Sequence, residues 1–455
     1  MRALLLAIAC SSLSIACSAK ATFACMGDGE CRDGGVDGTC EADGWCSFPD
    51  ASCPSGRRYG GHAPSELANT CVVDDVAGTS GSTTTASSTG GETSSTNASS
   101  TGSNDVSSSE VSSSSDGGPI PADWWDTAWS HRIAITVAYD EATAELVDVP
   151  VLIALTDERF DASVARPDGG DVRFVGADGT VLSHELDTWA ANTRVVWLSL
   201  PTITNGDTVW LYYGNADAET TSTANVWGNA HVAVLHMGPT LTDASGALEL
   251  GVRTSTAPGM FGDALAMNDT PIVLGDLAPL RDLFFTGATI SAWIRPSGWG
   301  VGENWGRILD KMDLPSDGAG YSVMVEAAGR FRFVQGYVPG ESGWETPGGL
   351  LALDQWSFVS MSYRAIDVAT APAMYVDGAP QSLTQNSLGE GEVLGDEGVS
   401  FALGGRAGLV EPRTFQGNID ELRIETTEHP ASWHALQYAS MTDALLQWST
   451  TEVLP

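Results

Sequence analysis

The chain has 455 residues, 58 of them acidic against 21 basic, for a formal net charge of −37. A surface that negative repels phosphate backbones, which excludes nucleic acid as an expected partner. At roughly 100 to 200 residues per domain, the length accommodates two or three folded units.

Met1 and Arg2 precede an apolar or small stretch from Ala3 to Ala16. Residues 1–16 read as a secretory signal peptide, too short to span a bilayer as a mature helix. Cleavage after Ala16 leaves seven cysteines, six of which (Cys25, Cys31, Cys40, Cys46, Cys53 and Cys71) cluster in one small region. An odd cysteine in an exported chain requires an explanation. Ser14-Ile15-Ala16-Cys17 resembles the lipobox of bacterial lipoproteins, with Ser14 where that family usually has Leu. The resemblance implies acylation of Cys17 and membrane contact only through that lipid. Ser18, in place of the Asp that retains lipoproteins at the inner membrane, implies the outer membrane or cell surface.

Residues 17–76 are rich in Gly and Asp and poor in core-forming side chains, so disulfides are expected to replace a core. Zinc is the competing reading, but the cysteine intervals are all longer than C-x2-C and the compartment is oxidising. Three bridges follow, and the spacing does not choose among their pairings. The segment from Cys46 through Cys53 to Gly56 resembles N-terminal modules of myxobacterial surface lipoproteins. Residues 77–118 are a Ser, Thr and Gly tract that cannot bury enough apolar surface to offset ordering, and disorder is expected.

Beyond residue 119 the composition turns aromatic and β-branched with period-two alternation. Ile133, Ile135, Val137 and Tyr139 share one face, as do Val149, Val151, Ile153 and Leu155. Val172 and Phe174 lead into Ala177-Asp178-Gly179, a hairpin-type turn. Short strands between turn signals, with no long helical period, predict an all-β chain of β-sandwich type.

The first sandwich carries Trp129-Ser-His-Arg132-Ile, Val149-Pro-Val-Leu-Ile, Gly170-Asp171-Val-Arg173-Phe174, Val196-Trp197-Leu-Ser-Leu-Pro201 and Leu211-Tyr-Tyr-Gly-Asn215. These pieces resemble the bacterial domain of unknown function 2341. The second carries Val232-Ala-Val-Leu-His236, Thr289-Ile-Ser-Ala-Trp293, Met374-Tyr-Val-Asp377-Gly378 and Phe415-Gln-Gly417-Asn-Ile-Asp420-Glu-Leu-Arg-Ile424. Their order resembles the laminin-G-like, concanavalin A-like jelly rolls, which implies glycan or protein ligands. Together the two resemblances imply two jelly-roll-like β-sandwiches, 119–224 and 225–455, with a helical tail near Pro430 to Leu446.

No nucleophile elbow, His-Glu-x-x-His helix or phosphate loop occurs in the folded region. His429 and His434 lie five apart, the wrong spacing for one helix face. A retaining glycosidase needs two carboxyls about 5 Å apart. In Asp420-Glu-Leu-Arg-Ile-Glu425, strict alternation sends Asp420 and Glu425 to opposite faces. A non-enzymatic binding or adhesion protein is therefore expected, with a structural envelope protein as the second reading and a polysaccharide hydrolase as the third. Trp299 and Trp305, in residues 297–306, and Tyr337 and Trp344, in residues 336–349, sit in Gly-rich segments read as ligand-binding loops. The alternative is that these rings cover sandwich ends or a domain contact. Laminin-G-like resemblance also implies a structural Ca2+ held by Asp420 with Asn268 and Asp269. The alternative for Asp420 is a carboxylate held by main-chain N–H groups.

Overall fold

A computed structural model describes residues 31–33, 36–41, 45–50, 53, 55–60, 67, 70–72, 123–139, 146–191, 193–220, 226–301, 305–312, 318–408 and 413–455. The signal segment, Cys17, Cys25 and the 77–118 tract lie outside the described residues. The chain divides into two compact units, Met1–Ser109 and Glu110–Pro455.

In the first unit, Thr39–Cys40, Cys46–Pro49 and Arg57–Tyr59 form a three-stranded antiparallel sheet. Disulfides join Cys31 to Cys46 and Cys53 to Cys71, and Cys40 is also disulfide-bonded. In so small a module, each bridge of this span contributes about 3 kcal/mol by restricting the unfolded chain.

The second unit contains both sandwiches, and a subset of its elements positions the site. These are β1 (His131–Val137), β2 (Leu146–Ala154), β3 (His184–Ala190), β4 (Thr193–Ile203), β5 (Thr208–Tyr213), β6 (His231–Leu235), β7 (Asp263–Asn268), β8 (Ala288–Gly298), β9 (Ser357–Tyr363), β10 (Gln416–Glu425), α1 (Ala431–Met441), β11 (Leu446–Trp448) and β12 (Glu452–Val453).

In the first sandwich one sheet runs β3-β4-β2. The other runs β11-β1-β5 and on through Arg173–Val175 and Val181–Leu182. The alternation read from the sequence is the alternation that packs it: Ile133, Ile135, Val137, Val149, Val151 and Ile153 are all buried in one core. The hairpin turn at Asp178 and Gly179 needs a positive φ, and Gly179 supplies +85°.

The end of the chain does not belong to the second sandwich alone: His434 and Tyr438 touch it, while the strands beyond the helix pair with the first. β11 and β12 both pair with β1, setting Leu446 opposite Val137 and Glu452 opposite Arg132. Trp433, Leu436 and Leu445 fill the first sandwich's core. Ser440 accepts the Leu152 N–H at 2.8 Å, and Gln437 donates to the Pro150 carbonyl at 3.1 Å. The boundaries 119–224 and 225–455 are corrected accordingly: residues 431–455 close the first sandwich, because its second sheet lacks its outer strands without them.

The second sandwich packs an eight-stranded sheet against a seven-stranded one. The eight-stranded sheet contains β7, β10, β8 and β9 in adjacent order, with β6 also paired to β10. Ile290 and Ile294 from β8, and Ile419, Leu422 and Ile424 from β10, meet Val323, Phe331 and Phe333 of the opposite sheet in one apolar core. The outer face of that eight-stranded sheet turns Trp293 and Phe358 toward Leu152, Val195 and Trp197 of the first sandwich. Among the described residues no helix is long and apolar enough to cross a membrane.

Candidate functional site

The residues expected to stack on a ligand are placed otherwise. Residues 336–349 are not a ligand loop: Arg330–Gly336 and Glu341–Glu345 are paired strands, with Phe333 opposite Trp344. The glycines there serve close packing, since a Cβ on Gly336 would lie 2.0 Å from the Gly318 carbonyl oxygen. Tyr337 and Trp344 are each 1 % exposed. Trp344 stacks on Phe333, while the Tyr337 hydroxyl meets that of Tyr363 at 2.9 Å and the Asp367 carbonyl at 2.8 Å. Trp299 packs against the same core. The Trp305 ring is already engaged, with Arg332 and Arg413 over it at 5.1 and 4.3 Å and its Nε1 donating to Glu326. Gly-rich composition signalled tight backbone contacts here, and the aromatics it brackets are core or capped.

The implied calcium ligands do not converge. Asn268 pairs with Gln416, whereas Leu265 pairs with Ile419 beside Asp420. At about 3.3 Å per residue, roughly 10 Å or more of strand separates Asn268 and Asp269 from Asp420. Asp269 is exposed at a positive φ of 57°. Asp420 accepts the N–H groups of Met260, Phe261 and Glu421 at 2.8, 3.1 and 2.9 Å. The main-chain alternative describes Asp420, and Asp269 and Asp420 do not fit a shared ion.

Strict alternation also misplaces Asp420 relative to Leu422 and Ile424. Ser291 lies opposite Arg423 and Trp293 opposite Asp420, so β10 carries one extra residue across this interval. Glu421 sits in this β-bulge with φ of 48°. Ile419, Leu422 and Ile424 therefore face the core, while Asp420, directly across from Trp293, shares Trp293's face toward the first sandwich.

A second bulge faces it. In β3, Leu186 pairs with Val196 and Thr188 with Val195, leaving Asp187 unpaired between them. Glu185 lies opposite Trp197 on the same outward face. His236, just after β6, is followed by Met237 at a positive φ of 59°. These irregularities bring four titratable side chains together between the sandwiches. His236 Nδ1 lies 2.7 Å from Glu421 Oε1 and 3.8 Å from Asp187 Oδ2, and its Nε2 lies 3.6 Å from Glu185 Oε2.

The surroundings hold this group in place. Arg423 donates to Glu421 Oε2 at 2.8 Å and to Gln437 at 3.1 Å, and lies over Trp197 at 4.0 Å and Trp227 at 4.9 Å. Trp227 Nε1 donates to Glu185 Oε2 at 2.6 Å. Burial alone would lower the His236 pKa, but Glu421, Glu185 and Asp187 raise it well above its ordinary value. Burial would raise Glu421, but His236 and Arg423 hold it below the usual carboxylate range. Burial dominates at Asp187, which is pushed up to about 7. Asp187 Oδ2 and His236 Nε2 are buried with no hydrogen-bond partner.

A crevice of about 600 Å³ opens beside the cluster. Glu185, Asp187 and Thr188 line it from the first sandwich, and His236, Thr242 and Asp263 from the second. The aromatic and calcium signals pointed elsewhere. Two acids at i and i+2 on β3 were the only local hint, and their partners are remote in sequence.

His429 and His434, the pair five apart near the end of the chain, are packing groups. His429 bonds Glu425 at 2.7 Å. His434 is buried between the hydroxyls of Ser360 and Ser362 at 2.8 and 2.9 Å. Burial drops its pKa to about 3.

Residues 168–230 match the family model of the domain of unknown function 2341, and residues 267–432 that of the concanavalin A-like lectin/glucanases superfamily. This is the order in which the sequence resemblances fall. No curated protein matches the chain. Among solved structures, the binding domain of Paraclostridial Mosquitocidal Protein 1 aligns at 14 % identity and TM-score 0.37, covering 47 % of this chain and 52 % of that one. The receptor binding domain of botulinum neurotoxin mosaic serotype C/D aligns at 15 % and 0.35, covering 46 % and 50 %. Domain 4 of an extracellular arabinanase from Geobacillus stearothermophilus, in complex with arabinotriose, aligns at 20 % and 0.32, covering 45 % and 96 %. The chain thus spans about half the length of the first of these matched structures.

Proposed function

We propose that this chain is an exported glycan-binding protein, tethered through a lipid on Cys17, that seats a carbohydrate in the crevice between its two sandwiches. The observation that carries the reading is the crevice lining. Carboxylates of Glu185, Asp187 and Asp263 stand beside the hydroxyls of Thr188 and Thr242, and Asp187 Oδ2 has no hydrogen-bond partner. Buried acceptors without donors favour a ligand that brings many hydroxyl donors, and a sugar does so at each ring carbon. Binding is favoured over turnover because both oxygens of Glu421 are engaged by His236 and Arg423, which keeps this acid from a nucleophile or proton-donor role. The disulfides support an oxidising compartment.

The test is a glycan array probed with the full mature chain and with Asp263→Asn and Thr188→Val variants. Retention of a defined glycan class by the parent, lost in both variants at unchanged melting temperature, is expected. A blank array for the parent overturns the glycan reading. Tethering is checked separately: Cys17→Ser should shift the protein from the membrane to the soluble fraction, and persistence with membranes removes the anchor.

A further inference from the structure

We propose that Asp187 Oδ2, His236 Nδ1 and Glu421 Oε1 form a binding site for a zinc-class divalent metal ion, held jointly by the two sandwiches. The inference does not rest on the glycan reading, since metal uptake is measured without any sugar.

The three ligand atoms lie within 4.8 Å of one another, with 2.7 and 3.8 Å from Nδ1 to the two carboxylate oxygens. One ion about 2.0 to 2.2 Å from each atom closes that span with small side-chain adjustments. One imidazole nitrogen with two carboxylates suits zinc and its first-row neighbours, whereas Ca2+ prefers six to eight oxygens.

A cluster of acids and a histidine would not suffice as evidence, because an imidazolium can satisfy carboxylates unaided. The independent observation is Asp187. Its side chain is only 10 % exposed, its Oδ2 has no hydrogen-bond partner, and it lines the crevice beside His236. A buried carboxylate oxygen is costly without a donor or a cation. The nearest charge is the His236 imidazole, whose Nδ1 is engaged by Glu421 and stands 3.8 Å from Asp187, beyond hydrogen-bond reach.

The second layer matches a metal-bound histidine. Glu185 lies on the Nε2 side of the ring at 3.6 Å and is fixed by Trp227, so it favours the tautomer that leaves Nδ1 free for an ion. Arg423 occupies Glu421 Oε2, which leaves Oε1 turned to the site. With three protein ligands, a fourth position remains for water or a ligand oxygen from the crevice. The two bulges serve this convergence: each re-aims one acid that a regular strand would direct elsewhere.

The test uses the full mature chain, stripped with chelator and titrated with Zn2+ by calorimetry, with melting curves alongside. One ion per chain and a higher melting temperature are expected. Asp187→Asn keeps the side-chain volume and an acceptor oxygen, so its metal-free melting curve should stay close to the parent's while its affinity falls at least ~10-fold. Glu185→Gln, which reaches the ion only by way of His236, should weaken binding by roughly 10- to 100-fold. No stoichiometric uptake by the parent overturns the site in favour of a plain imidazolium clamp. Undiminished uptake by Asp187→Asn overturns it by placing the ion elsewhere.

Discussion

The core of the second sandwich and the seam between the two sandwiches both bury large side chains, yet they are built from opposite materials. The core joins Ile290, Ile294, Phe331, Phe333, Trp344 and Leu422 with their neighbours, nearly all aliphatic or aromatic. The seam sets Trp197, Trp293 and Phe358 beside Asp420, Glu421, Arg423 and Glu425, which are each at most 3 % exposed. An apolar core tolerates many arrangements of similar volume. A buried charge does not, because each must meet its partner or go uncompensated. The core therefore supplies stability, while the seam fixes how one sandwich is oriented on the other.

The largest expected effect tests the core side of this contrast. Trp344→Ala removes a fully buried ring and should cost about 3 to 5 kcal/mol in denaturant unfolding. A cost below about 1 kcal/mol, together with lost glycan binding, would return Trp344 to the role of a ligand platform.

The seam is probed next. Arg423→Met leaves Glu421 buried with one oxygen unpaired and should cost about 3 kcal/mol, the loss expected when one member of a buried pair is removed. Pairing it with Glu421→Gln should cost less than the sum of the two single changes. Simple additivity would mean that the Arg423–Glu421 contact does not orient the seam.

A smaller effect concerns pH. His434 has a folded pKa of about 3 against an ordinary 6.5, because burial penalises its charged form. Between those values the unfolded chain binds the extra proton, so stability rises with pH across the window and is lost as pH falls. Two units below 6.5 the loss from this one group is about 2.7 kcal/mol. His434→Gln should flatten the dependence of the urea midpoint between pH 4 and 6.5, and an unaltered slope would show that His434 takes up its proton while folded.

The smallest effect is a control. Ile366 is 72 % exposed and belongs to neither region, so Ile366→Ser should stay within about 0.5 kcal/mol of the parent.

How much of this was legible beforehand follows from the reach of each signal. Period-two alternation is local, so the inward faces of β1 and β2, the hairpin turn at Gly179 and the sequence of two sandwiches could be read directly. Cysteine clustering likewise marked the disulfide module. The reading of Asp420 failed because a single extra residue at Glu421 inverts alternation beyond it. The readings of Tyr337 and Trp344 failed because a glycine needed for close backbone approach has the same letter as one in an open loop.

What composition and alternation determined by themselves was an acidic, all-β chain with a cysteine-bridged module ahead of two sandwiches of known family resemblance. Only the tertiary structure decided that β11 and β12 return to β1, and that Asp187, His236 and Glu421 meet. The reason is distance along the chain. His236 and Glu421 stand 185 residues apart, Arg132 and Glu452 320 apart, and no local period carries information across such separations. Burial of unlike charges at a shared seam is a property of the two folded surfaces together, and neither strand contains it alone.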